Sequence, residues 1–232
     1  MELHVSTNQY ANQENGKLGV ATVSFGEEFK VKSINIHQNK DGELFVVMPS
    51  YKTKKVDENE RPVFANICNP VTKEFREQLY SAILESYKTG KDVTVNIENG
   101  ANAPTLDVKV TPLEGESFTK GLARVSLNDS FVVNNISIME SKDKKLYISM
   151  PSKATGTLDE NGKPQYRDIC YPVTKEFREI LQEKIMTAYK ETREVTKEQS
   201  PQEKPSVLEN MQKKTKAQKS HKKEQTTAQP AL

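Results

Sequence analysis

From Val20 to Phe25 polar and apolar residues alternate, the period-two signature of a strand with one buried face, and Gly26-Glu27 ends the run with a turn. The next run, Phe29 to His37, starts on one parity and finishes on the other, with Phe29 and Val31 followed by Ile34 and Ile36. One strand face cannot hold both pairs without an inserted residue, so the pattern predicts a β-bulge near Lys32-Ser33. Asn39 to Gly42 reads as a second turn, and Leu44 to Met48 as a strand halted by Pro49, which cannot donate to a ladder. Ser50 to Pro62 is a polar loop with its own turn at Asp57 to Glu60, and Val63 to Cys68 is a short strand leading to Pro70. Thr72 then offers a helix N-cap, and Phe75, Leu79, Ile83 and Tyr87 recur every four residues as the apolar stripe of a helix laid on a sheet. Glu2 to Val5 predicts an opening strand, and Val93 to Ile97 adds another after the helix.

The same pattern then returns. Gly19 to Lys88 lies over Gly121 to Lys190 at a constant offset of 102 residues, without a gap and with roughly half the positions identical. The octapeptide from Pro70 to Glu77 recurs unchanged from Pro172 to Glu179. Phe131, Val133, Ile136 and Ile138 repeat the parity flip, and Phe177, Leu181, Ile185 and Tyr189 repeat the helical stripe. A period of this length matches a small domain rather than a solenoid repeat. The chain of 232 residues therefore divides into two α+β domains at 1–90 and 106–191, each an antiparallel β-meander with a C-terminal amphipathic helix. A turn-rich linker occupies 91–105. Residues 192–232, rich in Lys, Gln, Glu, Ser and Thr, form a tail whose composition predicts disorder.

Charge refines this picture. The formal net charge is +2, but the tail after Met211 carries six lysines against Glu224 alone, which leaves the remainder about three charges negative. A broad basic face over both copies is excluded, so contact with polyanions falls to local patches or to the tail. No apolar run reaches the ~20 residues of a membrane span, and the first residues lack the pattern of a signal peptide, which points to a cytoplasmic protein. Cys68 and Cys170 occupy equivalent positions, with no CxxC or Cys/His spacing, and read as small apolar side chains beneath the helices. A bridge between them would require a two-fold axis running near both sulfurs.

Enzyme chemistry finds no foothold. His4, His37 and His221 are scattered, and no nucleophile elbow, Gly-rich phosphate loop or metal-ligand spacing occurs. No cofactor and no small-molecule substrate is predicted.

Met48-Pro49-Ser50, Met150-Pro151-Ser152 and the run from Tyr166 to Pro172 carry a family resemblance. Both copies resemble the stage V sporulation protein G (SpoVG) family, whose pattern is a strand ending in MPS, a basic loop, a turn, then FRDI-x-x-P opening the long helix. The resemblance spans about 80 residues of each copy and excludes the tail. It implies a bacterial regulator of septation and sporulation that binds DNA or RNA as a homodimer, with specificity placed where the helix begins. On this chain that points to Thr72, Lys73 and Arg76, and to Thr174, Lys175 and Arg178. The basic loop falls on Lys52, with Lys54 and Lys55 beside it, and on Lys153; the Arg-Asp before the helix survives as Arg167-Asp168 but is Ala65-Asn66 in the first copy.

The residues support such contacts by themselves. A helix N-terminus presents unpaired N–H groups and the positive end of a dipole to a phosphate. Tyr51 beside Lys52, Lys54 and Lys55 adds an aromatic surface for a base. Against this, Glu74, Glu77, Glu176 and Glu179 neutralise the helix starts, which equally suit a solvated face with i,i+4 pairs. About four to six phosphate contacts imply weak binding that falls steeply with salt. The short linker holds the second copy near the first, so a pairing of domain 1 with domain 2 inside one chain is expected to outcompete dimerisation. The rival expectation is a protein–protein module of the division machinery that touches no nucleic acid.

Overall fold

A computed structural model describes residues 2–11, 16–97 and 104–199. The first copy runs β1 (Glu2–Gln9), β2 (Lys17–Phe25), β3 (Phe29–Gln38), β4 (Leu44–Val47), β5 (Ser50–Val56), β6 (Pro62–Asn66), β7 (Cys68–Pro70), α1 (Lys73–Thr89) and β8 (Val93–Asn96). The second runs β9 (Leu106–Pro112), β10 (Thr119–Leu127), β11 (Phe131–Glu140), β12 (Leu146–Ser149), β13 (Ser152–Leu158), β14 (Pro164–Asp168), β15 (Cys170–Pro172) and α2 (Lys175–Gln199). Antiparallel meanders followed by a helix make both copies α+β, as the periodicity predicts.

The bulges are where expected, and they join the copies. Ala21 faces Ile34 and Val23 faces Val31, so Lys32 and Ser33 together oppose Thr22, with Ser33 at a φ of 63°. Asn135, at 58°, does the same in the second copy. A bulge leaves an amide without a ladder partner. Here the other copy supplies one: Lys32 N–H donates to the Ile169 carbonyl (2.6 Å) and Asn134 N–H to the Ile67 carbonyl (2.7 Å). Below the bulge β3 pairs with β4 of its own copy; above it, Phe29–Val31 pairs with Cys170–Pro172 of the other. Reciprocally, β11 pairs with both β12 and β7. Each copy thus lends a three-residue strand to the other's sheet, giving a six-stranded sheet (β15-β3-β2-β1-β8, with β4 on β3) and a five-stranded one (β12-β11-β10-β9, with β7 on β11).

One apolar core fills the space between. Phe25 packs 4.8 Å from Phe131 of the other copy, Phe75 lies 6.2 Å and 6.3 Å from these two, and Phe29 reaches Phe177 at 6.3 Å. Phe25, Phe29 and Phe131 are buried, each contributing about 1.5–3 kcal/mol. Cys68 and Cys170 are both free and fully buried. A hydrogen bond with Cys68, reinforced by burial, pushes the Cys170 thiol well above its ordinary pKa, so the equivalent thiols do meet across the copies. Residues Met1–Thr192 form a single compact unit.

Two differences from the sequence reading bear on the site. Ser50 to Pro62, expected as loop, is the first strand and turn of a hairpin, β5–β6, repeated as β13–β14. Strands β5 and β13 are exposed on both faces, so no period-two hydrophobic signal marks them. The turns are held by Asp57 Oδ1, which accepts from the N–H groups of Asn59 and Arg61, and by Asp159 Oδ1, which accepts from Asn161 and Lys163. The second difference is the length of α2. Helix α1 ends at Gly90, left-handed at φ 67°, whose N–H reaches the Ser86 carbonyl. Thr192 stands at the equivalent place, and a β-branched residue resists that conformation, so α2 continues to Gln199 where a tail was expected. The rest of the expected tail, and linker residues 98–103, lie outside the described residues.

Candidate nucleic-acid interface

The hairpins carry one group of predicted residues. On β5, Lys52, Lys54 and Lys55 are exposed, and Lys52 stands directly opposite Phe64, itself 61% exposed. On the second hairpin Ala154 faces Tyr166, 66% exposed, and Lys153 faces Arg167. Like charges directly opposite are unfavourable in a ladder. The Lys153 ammonium shows the strain: partial burial, then Lys17, then Arg167 hold its pKa below the ordinary lysine value.

Lys17 belongs to the first copy. It opens β2 opposite His37, and its ammonium lies 5.0 Å from the centre of the Tyr10 ring. His37 stacks on Phe45 at 5.6 Å, and burial followed by Lys17 keeps the His37 pKa below its ordinary value. Three cations from two copies therefore share one small area, flanked by two exposed or part-exposed rings. The symmetry-related positions hold Thr119, Tyr51 and Ala65, and Met139 replaces His37. Thr119 there donates to the Met139 sulfur at 3.3 Å, and nearby Lys120 is paired with Glu140 at 3.2 Å. At these equivalent positions one half of the pseudo-symmetric pair is charged and the other is not; the cations of the first hairpin, Lys52, Lys54 and Lys55, lie elsewhere along β5.

The helix starts differ in a second way. Thr72 Oγ accepts from Phe75 N–H at 3.3 Å and Thr174 Oγ from Phe177 N–H at 3.2 Å, so both are N-caps. Each start is seated on the β-turn of the other copy: Val71 N–H donates to the Ser130 carbonyl, and Val173 N–H to the Glu28 carbonyl. Thr174 also donates its hydroxyl proton to the Glu28 carboxylate at 2.7 Å. Glu28 thus supplies an anion at the positive end of α2. Ser130 cannot, and α1 instead opens onto a cleft of about 390 Å³ bounded by Thr72, Glu74, Phe75, Gln78, Asn96 and Ser130, so a carboxylate lines this start as well. Lys73 pairs with Glu77 (3.8 Å) and Lys175 with Glu179 (3.7 Å), all four side chains exposed; Arg76 and Arg178 are exposed beside them. Exposed pairs of this kind contribute little energy but neutralise the helix face.

Comparison with known proteins places this geometry. The SpoVG family model matches the chain twice, over residues 1–89 and 104–191. The chain belongs to the SpoVG family. A relative named "Putative septation protein SpoVG" from Phytoplasma australiense is 37% identical over 97 residues, which is 42% of this chain and 94% of that protein. The namesake from Staphylococcus saprophyticus is 32% identical over 96 residues (41% of this chain, 88% of that protein), and that from Acholeplasma laidlawii 35% over 86 residues (37% and 84%). These SpoVG proteins are thus about the length of one copy, whereas this chain carries two. Among the described residues no helix is long and apolar enough to cross a membrane, and no group of three His, Cys, Asp or Glu residues is placed to hold a metal.

Lys17, Tyr10, His37 and Phe45 escape a reading of the SpoVG pattern. Lys17 and Tyr10 precede the aligned repeat, and the meeting of Lys17 with Lys153 depends on strands exchanged between segments more than 100 residues apart.

Proposed function

We propose that this SpoVG-family chain is a non-enzymatic regulator linked to septation that binds DNA or RNA as a single-chain pseudo-dimer. The observation that carries the reading is the convergence of Lys17 with Lys153 and Arg167, a cationic spot built by both copies on a protein whose remainder is slightly acidic. Local charge of this kind draws phosphates without a broad basic face. Tyr10 and Phe45 beside it, and Phe64 and Tyr166 on the hairpins, offer surfaces for unstacked bases.

Lys52, Lys54 and Lys55 offer further cations on the first hairpin, which stands at the pseudo-symmetric position. Thr72, Lys73 and Arg76 form the better helix-start site: Glu74 lines its cleft, as Glu176 accompanies the second start, but Thr174, Lys175 and Arg178 have the Glu28 carboxylate in addition. The two copies act as one body because each completes the other's sheet. A single-copy relative of about half this length would need a second chain to supply that strand, which supports reading this chain as a dimer fused end to end.

A fluorescence anisotropy titration with short DNA and RNA tests the reading. Reversing Lys17, Lys153 and Arg167 to Glu together lowers affinity at least about tenfold, while reversing Lys175 and Arg178 lowers it less. The exposed Phe64 and Tyr166, with Val56 and Leu158 on the same hairpins, favour a second reading as a docking module for a division protein. Under that reading the charge reversals leave partner capture intact and no nucleic acid binds the unaltered chain.

A further inference from the structure

In the first copy the sheet does not end at β1. Strand β8 pairs along its outer edge, with Val93 opposite Val5 and Val95 opposite Leu3, and its valines pack against the core. The second copy has no such strand among the described residues, because α2 runs straight through the positions where α1 stops and β8 begins. Among the described residues strand β9 is therefore an open edge. The consequence is visible in burial: Leu3 and Val5 are 0% and 1% exposed, while Leu106 and Val108, which hold the same sheet positions, remain only half-buried. Between this edge and α2 lies a groove of about 450 Å³, lined by apolar Leu106, Val108 and Ile180 and by charged Glu183, Lys184 and Glu191, with Ile180 47% exposed.

We propose that the β9 edge is a docking surface for a second copy of this chain, β9 pairing antiparallel with β9 about a two-fold axis at Val108. The first copy shows that the position accepts a strand with alternating apolar residues, and β9 itself has that pattern: Leu106, Val108 and Val110 half-buried, Asp107, Lys109 and Thr111 exposed. A strand is self-complementary only in a register that also satisfies its charges. With Val108 opposite Val108, Asp107 meets Lys109 twice. Moving the register by two residues in either direction sets Asp107 against Asp107 or Lys109 against Lys109, and moving it by one mismatches the faces. Inside the sheet Lys109 already faces Arg124, a like charge, so a carboxylate arriving from the open side relieves it. The resulting assembly is closed, removes both edges from solvent and joins the two five-stranded sheets. It is independent of the nucleic-acid reading, since β9 contains none of the residues assigned to that role.

Analytical ultracentrifugation of the full chain tests it. The unaltered protein should show a concentration-dependent species of twice the chain mass. Asp107→Lys and Lys109→Asp should each weaken that association at least about tenfold, by placing like charges opposite one another. Mixed in equal amounts, the two variants should recover it as a heterodimer, since one chain then presents lysine at both positions and the other aspartate at both. A single-chain mass at every concentration up to about a millimolar would overturn the proposal. So would a dimer indifferent to either substitution, or two variants that fail to associate on mixing.

Discussion

Thr174 and Glu28 belong to different copies of the repeat, yet the Thr174 hydroxyl donates to the Glu28 carboxylate across 2.7 Å while accepting from Phe177 N–H. One side chain thereby caps a helix and fastens it to the turn of the opposite copy. Thr72 has only the first of these roles with respect to Phe75, because Ser130 replaces Glu28.

The two N-caps should therefore differ in cost. Thr72→Ala is expected to destabilise the fold by about 1 kcal/mol and Thr174→Ala by about 2 kcal/mol, the excess coming from the stranded carboxylate. Urea unfolding measures both, and equal losses would show that the Glu28 bond adds nothing.

A shared core predicts shared unfolding. Phe25 and Phe131 touch across the copies at 4.8 Å, so Phe25→Ala and Phe131→Ala should each cost about 3–5 kcal/mol and be non-additive in the double variant by about 0.5–1.5 kcal/mol. Calorimetry of the unaltered chain should give one transition for residues Met1–Thr192. Two separated transitions would mean that the copies fold independently.

The elements were legible wherever one face of a strand or helix is buried. Phe29, Val31, Ile34 and Ile36 disclosed the bulge because a parity flip has only that solution. The hairpins were not legible, since Tyr51 to Val56 and Ser152 to Leu158 bury neither face and leave no period to read. Nor did the strands disclose the exchange: Cys68–Pro70 carries the same residues whether it pairs with β3 or with β11, and only the bulge amides reveal the choice. The candidate residues of the hairpins and helix starts could be named singly from the SpoVG resemblance, whereas Lys17 is brought to Lys153 only by that exchange.

His37 gives the account a pH dependence. Burial and Lys17 hold its pKa below the ordinary value, so the unfolded chain takes up a proton that the folded chain resists. Stability is then fully present above the ordinary histidine pKa and declines as pH falls through it toward the lower folded value. Nucleic-acid affinity should move the opposite way, because a bound phosphate favours the imidazolium. His37→Gln should flatten both trends in that window, as read by urea unfolding and anisotropy at a series of pH values.

Gly90 decides where α1 stops. Its left-handed backbone is costly for a β-branched residue, so Gly90→Thr should destabilise the chain by about 1–2 kcal/mol. Thr192→Gly, on a helix that continues, should instead cost about 1 kcal/mol and lower the helical signal in circular dichroism. A Gly90→Thr variant of unchanged stability would refute the assignment.

The most direct measurement is the affinity of the full chain for a short DNA or RNA across 50 to 300 mM salt, compared with the Lys17, Lys153 and Arg167 reversals. With about four to six phosphates engaged, affinity should fall by roughly two to four orders of magnitude over that range, and the reversed chain should show a shallower slope. Binding that is indifferent to salt, or a slope unchanged by the three reversals, would contradict the account.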